Sequence, residues 1–451
     1  MRMNVSPVVA SDVVAWRDRL ARGSTDACEG DAGDLVDLIA ALEDLTSTAR
    51  AVQAEAAVAF DAARRASEAA AGVASRLQGR GVGGEVALAR KESAARGQSL
   101  LGLARVLVVE MPHTLDRLRD GTLNEFRATI LARETGCLNA EQRAAVDEEL
   151  CCSPAALVGV GTRELAGRVR RRVALLDPAA VARRNRKAES ERGVSLRPAP
   201  DTMAYLTTLI PMAQGVAVYA TLQRDADAKK AAGDDRSRRQ LTADLVVSRL
   251  TGVPDTGVPA QAPAVPVTVN ITLPAPTLAG GHAPALLTAR GVAGEVVPAE
   301  TARLLLAHSI TEGVGAWFRQ LYANPLGRLV ALTSRQRTFP DGLAELLQVQ
   351  GHGICATPWC DAPIQHSDHI VPVEDDGATD HHNGQGLCAA CNHAKQAGWR
   401  QSADSPIGRP AVTTTTPTGH RYHATAPAPP GWGDHGPPRA FMIDIQWLRA
   451  A

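Results

Sequence analysis

The residues best equipped for defined chemistry lie in one short stretch. Cys355-x4-Cys360 and Cys388-x2-Cys391 form two close pairs separated by 27 residues, and both spacings suit tight turns that converge on one tetrahedral ion. Four thiolates at about 2.3 Å saturate zinc, so the expected site is structural and keeps no open position for a water. A segment with so few large apolar residues needs a staple, and Zn2+ supplies one. The plainer reading is four buried free cysteines. Cys28, Cys137, Cys151 and Cys152 are scattered, and eight cysteines in 451 residues do not make a disulfide framework.

Between the pairs stand Asp368-His369 and Asn383, and directly after the last cysteine come Asn392-His393 and then Lys395. Hydrolysing a phosphodiester requires a nucleophilic water, a base to take its proton, and positive charge near the non-bridging and leaving oxygens. His369 is the side chain best able to act as that base near neutral pH. Neighbours on a strand face opposite ways, so Asp368 can bind a cation while His369 reaches a water. Asp368 supplies a hard anionic oxygen and Asn392 a neutral one, which suits Mg2+ or Mn2+ acting as a Lewis acid at the departing oxygen. Simpler roles stay open: His369 as a zinc ligand replacing one cysteine, Asp368 as a partner that only orients the His369 ring, and His393 in place of Asn392. His366, His381 and His382 read as loop residues. Lys395, one of only five lysines, is either a phosphate contact or a solvated surface lysine.

Residues 355–399 resemble the HNH endonuclease family, in the version whose ββα-metal motif is framed by a zinc-binding Cys-x-x-Cys. The likeness rests on Cys355, Cys360, Asp368-His369, Pro372, Gly377, Thr379, Asn383, Leu387-Cys388, Cys391-Asn392, Lys395 and Gly398-Trp399. It implies metal-dependent cleavage of DNA, with His369 as general base and Asp368 and Asn392 on the catalytic ion. It also implies that Asn383 holds the loop after His369 through a backbone hydrogen bond, and it places Asn392 rather than His393 at the family's position. One departure stands out. Many relatives carry an Arg-Asp pair shortly before the first cysteine, where this chain has Gln348-Val349-Gln350-Gly351-His352-Gly353-Ile354. A looser likeness upstream, at Asp201-Thr202-Met203 and from Asp235 to Asp244, is to the actinobacterial domain of unknown function that often precedes such segments.

The alternative function is a zinc-stapled nucleic-acid-binding protein whose hydrolytic activity is vestigial or absent. The intact set Asp368, His369, Asn383 and Asn392 favours the enzyme, because a binding module has no need of all four. A third reading makes the helical region a protein-association module with the nuclease as its effector.

These residues need elements to hold them. Residues 1–30 read as an N-terminal extension, 31–252 as an all-α domain, 253–345 as a linker and small α/β module, 346–400 as the HNH-like segment, and 401–451 as a Pro/Thr/Gly-rich tail. The expected fold is thus a mainly α N-terminal region plus a small α/β module and a zinc-stapled C-terminal ββα segment. Leu35, Leu38, Ile39, Leu42 and Leu45 recur at helical spacing, and Asn139, Ser153 and Asp177 are expected caps. Helix is expected over Met203 to Ala232 as well, and no stretch from Asp31 to Leu250 reads as a half-buried strand. Val253 to Pro266 reads as a linker, Val265 to Leu273 as a one-sided strand, and Pro298 to Ser309 as a helix. Asn324-Pro325-Leu326-Gly327 has hairpin-turn chemistry. Ser402 to Arg439 reads as an extended, partly disordered tail, and Phe441 to Leu448 as a final docking strand or helix.

Charge arithmetic sets the limits on partners. The 48 basic and 48 acidic side chains cancel, which excludes gripping nucleic acid by bulk charge. Arg163 to Arg192 nevertheless carries a local net charge of +6. Arg168, Arg170, Arg171 and Arg172 are its candidate phosphate contacts, and with no aromatic residue nearby for stacking they fit double-stranded DNA. The rival reading is an exposed helix face in a chain with 43 arginines, a bias that fits a GC-rich genome. Nothing approaches the roughly 18–20 apolar residues of a membrane span, and the start has no secretory pattern, so a cytoplasmic location is expected. Cutting two strands with one site per chain needs either a homodimer or two successive nicks.

Overall fold

A computed structural model of the chain describes residues 8–23, 32–252, 270–289, 292–311, 315–321, 329, 337–404, 408–430 and 442–448. The expected linker, the Asn324–Gly327 turn and Cys28 lie outside the described residues. The chain divides into two compact units, residues 1–58 with 103–180, and residues 59–102 with 181–451.

The first unit consists of helices and turns. Its core is made by Leu107, Met111, Leu118, Leu123, Leu131 and Leu165, all essentially buried. The helix Thr162–Leu176 buries Leu165, Ala166, Val169 and Val173, a stripe at intervals of three and four residues that leaves its arginines outside. Asn139 caps Ala140–Cys151 through a reciprocal box with Gln142, and Asp177 accepts from Ala180 N at 2.7 Å. Ser153 instead leads into a single 3-10 turn, Pro154–Ala156.

One cap comes from another helix. Asp147 is 1% exposed and accepts from His113 N at 2.7 Å and Thr114 N at 2.9 Å, and also from the Thr114 hydroxyl. It thereby satisfies the first turn of Pro112–Arg119. Burial raises the carboxyl's pKa against those hydrogen bonds. Asp147→Ala strands two backbone donors, and urea unfolding is expected to show a loss of about 2–3 kcal/mol. A change below about 0.5 kcal/mol, the usual range for a neutral surface substitution, would contradict this role.

The second unit corrects the expectation of unbroken helix before Gly252. Gly193–Ala199 and Met203–Leu209 form an antiparallel hairpin with Ala199 opposite Met203, and helix resumes only at Met212. The cause is local. Pro198 and Pro200 exclude helix, Asp201 and Thr202 turn the chain at φ 63° and 60°, and Val194, Thr207 and Thr208 favour strand. The small α/β module closes as a five-stranded antiparallel sheet. Its order is Val292–Val297, Ala285–Ala289, Asn270–Pro274, Met442–Leu448 and Gly315–Leu321. The C-terminal segment therefore docks as an inner strand. Ile271, Leu273, Ala285 and Val297 meet Ala302 and Leu306 of the helix Ala299–Thr311 to form its core.

The tail is the second correction. Arg400–Ala403, Ala411–Thr415 and Arg421–Thr425 build a three-stranded antiparallel sheet, with Thr413 opposite both Ser402 and His423. A threonine-rich, weakly apolar composition resembles disorder, yet β-branched residues suit a pleated surface. The hydroxyls are accommodated: Thr414 is 1% exposed and accepts from Gln401 Nε2 at 3.1 Å. Gly419, at φ 82°, turns the hairpin. Nearby, the helix Val82–Arg90 packs Leu88 against Ala394 and Trp399. Gly84 is required there, since a Cβ would stand 2.9 Å from the Trp399 ring, and Thr418 donates to Glu85 Oε2 at 2.9 Å. No helix among the described residues is long and apolar enough to cross a membrane.

Candidate functional site

The chemistry-bearing segment is two short strands and a helix. His366–His369 runs antiparallel to Gly384–Leu387, with Asp368 opposite Gln385 and His369 opposite Gly384, and the helix Ala389–Lys395 follows. Glycine is needed in the second strand, because a Cβ on Gly386 would lie 2.3 Å from Ile364 Cδ1.

The four cysteines converge as their spacing predicts. All are buried, their sulfurs lie within 4.8 Å of one another, and Cys360 Sγ stands 3.8 Å from Cys388 Sγ. A tetrahedron of sulfurs about 2.3 Å from a central zinc has edges of roughly 3.8 Å, so the donor set fits the ion. Cys388 also caps the helix, its Sγ accepting from Cys391 N at 3.4 Å. Hydrogen bonding, with Cys355 foremost, pulls Cys388 below the ordinary thiol range and pushes Cys391 above it. Sulfurs this close cannot all be anionic unless a cation sits among them. His369 is not part of this cluster.

Asp368 and His369 diverge as strand neighbours must. His369 Nε2 lies 2.9 Å from Thr379 Oγ1, and its ring is tilted 41° against Phe339 with centroids 4.4 Å apart. Those contacts fix the ring and leave Nδ1 as the nitrogen for a water. Burial holds the imidazole pKa below its ordinary value, with Asp368 opposing and Lys395 assisting.

Asp368 Oδ2 accepts from Lys395 Nζ at 2.7 Å and from Gln385 Nε2 at 3.1 Å. Both bonds fall on one oxygen, which leaves Oδ1 for a hard cation. Lys395 Nζ also donates to the His369 carbonyl. With its side chain 11% exposed, Lys395 is turned inward rather than standing as a solvated surface lysine. Asn392 lies three residues before Lys395 on the same helix and is half-buried. His393 points to solvent. His366 and His382 are exposed, and His381 is buried with its ring 3.9 Å from that of His382.

Asn383 closes the loop that follows His369. Its Oδ1 accepts from Val371 N at 2.8 Å, and its Nδ2 donates to Val371 O and Ala378 O, both at 2.9 Å. A Cβ at Gly377 would collide with Val371 O at 1.9 Å, so only glycine lets the loop fold onto this amide.

The arginine patch is less cationic than its sequence count. Arg168 pairs with Glu164 at 2.6 Å, Arg170 with Glu134 at 2.8 Å and Arg172 with Glu149 at 2.5 Å. Glu134 and Glu149 come from neighbouring helices, outside the stretch Arg163 to Arg192. Arg171 remains exposed. Sequence reasoning missed Phe339 and Gln385 and gave Thr379 no role. Only Gln385 carried a signal, because it sits directly across the strand pair from Asp368.

Comparison with known families agrees with this geometry. Residues 39–350 match the model of a domain of unknown function, DUF222, and residues 353–398 match that of the HNH endonucleases. No curated protein and no solved structure matches the chain.

Proposed function

The chain belongs to the DUF222 family and carries an HNH endonuclease domain, and from that premise we propose that it is a divalent-metal-dependent nuclease that hydrolyses DNA phosphodiester bonds. The observation that carries the reading is the division of labour on one strand. Asp368 offers Oδ1 beside the Lys395 ammonium, and His369, held by Thr379 and Phe339, offers a neutral ring nitrogen on the other side.

Asp368 and Asn392 are the residues that would hold Mg2+ or Mn2+. The ion, when bound, supplies Lewis-acid stabilisation of the charge that develops on the departing oxygen. His369 takes the proton of the attacking water. Lys395 fixes the Asp368 carboxylate and the His369 carbonyl together, so the two neighbours keep one relative orientation. Zinc at the four cysteines holds the framework and takes no part in the reaction. One site per chain makes a single-strand nick the expected product.

The binding-module alternative draws on one observation: Asp368 is already engaged by a cationic side chain. It predicts DNA binding without turnover, and supercoiled plasmid incubated with Mg2+ or Mn2+ separates the two readings. Open-circular product supports the nuclease, and its absence from zinc-loaded protein supports the alternative.

Asn383 provides a second test. Its amide positions the loop rather than touching the reacting atoms, and misplacement by about 1 Å costs about 10²-fold in rate. Asn383→Ala is therefore expected to lower nicking about 10²-fold with zinc content unchanged. Full activity in that variant would remove the positioning role.

A further inference from the structure

The match to the HNH family ends at residue 398, yet the next strand, Arg400–Ala403, reaches back to the candidate active site. Two cross-strand pairs meet there. Asp368 stands opposite Gln385 in the first strand pair, and Gln401 stands opposite Thr414 in the three-stranded sheet. Directly opposed residues share a face of their sheet, so each pair can bond side chain to side chain.

The Gln385 amide joins the two sheets. Its Nε2 donates to Asp368 Oδ2 at 3.1 Å and to Gln401 Oε1 at 2.6 Å. Gln401 Nε2 in turn donates to Thr414 Oγ1 at 3.1 Å. Thr414 lies in the central strand of its sheet and is 1% exposed. The hydrogen-bonded chain that starts at Asp368 therefore ends on a buried, paired anchor.

A carboxylate that holds a cation must keep one oxygen turned toward it. A glutamine amide can face that carboxylate with either end, and only the nitrogen end attracts. Gln401 Oε1 decides between the two, because it accepts the second Nε2 hydrogen of Gln385 and would repel Gln385 Oε1 if the amide were reversed. Lys395 cannot set that direction alone, since an ammonium is a point charge on a flexible stem. Gln385 is 5% exposed, which leaves water little access to replace either bond.

We propose that Gln385 and Gln401 are positioning residues for divalent-cation binding, and that the sheet from Arg400 to Thr425 is thereby part of the nuclease site. Gln401 acts through Gln385, and Gln385 through the Asp368 carboxylate. Groups that hydrogen-bond a metal ligand typically govern metal affinity or activity by about 10–100-fold. This inference rests on Asp368 being a ligand of the catalytic cation.

The test is Mn2+ binding to zinc-loaded full-length protein without DNA, read from the electron paramagnetic resonance signal of the free ion. Nicking is measured separately against cation concentration. Gln401 is half-buried, and Gln401→Met keeps its bulk while removing the acceptor. That variant is expected to weaken Mn2+ binding about tenfold or more. The cation concentration for half-maximal nicking should rise by the same factor, and excess cation should restore the rate. A merely structural role would lower the maximal rate and leave both midpoints in place. Gln401→Glu retains an acceptor for Gln385 Nε2 and should bind Mn2+ at least as tightly as wild type. Combining Gln401→Met with Gln385→Met should weaken binding no further than Gln385→Met alone, because members of one network are not additive.

Unchanged Mn2+ affinity in Gln401→Met would overturn this inference alone, as would losses that add in full in the double variant. Mn2+ affinity that survives Asp368→Ala would overturn the assignment of Asp368 as a cation ligand, and this inference with it. No Mn2+ binding by wild-type protein would overturn both.

Discussion

Cys388→Ser is expected to take zinc from about one ion per chain to none and to unfold the segment that holds the candidate active site. Serine is itself a favourable N-cap, so the substitution preserves the cap that Cys388 provides to Ala389–Lys395 and isolates the loss of the metal ligand. The scale is large because ligand binding and folding are one free energy in such a segment, about 10–16 kcal/mol for structural zinc in small domains. The four sulfurs sit in a buried cluster with Leu387 as its one large apolar member, so little else replaces the ion. The strand pair, Lys395 and Trp399 all attach to this frame, and nicking should vanish with the metal. Metal analysis together with tryptophan fluorescence checks both parts. Unchanged zinc stoichiometry in Cys388→Ser would refute the ligand set.

His369→Ala should do the reverse, removing chemistry and keeping the frame. A positioned general base contributes about 10²–10⁴-fold, so nicking is expected to fall by that factor while zinc content and secondary structure hold. The ring's contacts are Thr379 and Phe339, and neither is part of the cysteine cluster. The pH dependence carries the same signature. Burial depresses the pKa of His369 from its ordinary 6.5, so the neutral, active ring persists to lower pH than a free histidine would allow. The acid limb of the rate profile should accordingly have its midpoint below 6.5, and it should disappear in the variant's residual activity.

How much of this was legible in the residues follows from how local each feature is. The cysteine cluster was, because ligand spacing and turn geometry are set within a few residues. So was the backbone anchoring by Asn383, although only through the family resemblance. The Gly193–Leu209 hairpin was readable in Pro198, Pro200 and Asp201, but helical runs on either side outweighed it. The sheet at Arg400–Thr425 was hidden by composition, since threonine hydroxyls look solvated until a register pairs them. The inward turn of Lys395 depends on how the helix packs on the strand pair, and the quieting of Arg170 and Arg172 depends on Glu134 and Glu149 from other helices. Such tertiary partners leave no mark on the segment itself. The packing of Leu88, in the helix Val82–Arg90, against Trp399 more than 300 residues later is the extreme case.

The central claim is metal-dependent phosphodiester hydrolysis by His369. It is tested most directly by incubating supercoiled plasmid with zinc-loaded full-length protein, wild type and His369→Ala side by side, with and without added Mg2+ or Mn2+. The account predicts open-circular DNA only with wild-type protein and only when the cation is added, at equal zinc content in both proteins. Equal nicking by the two proteins, or none by wild type with either cation, would contradict it.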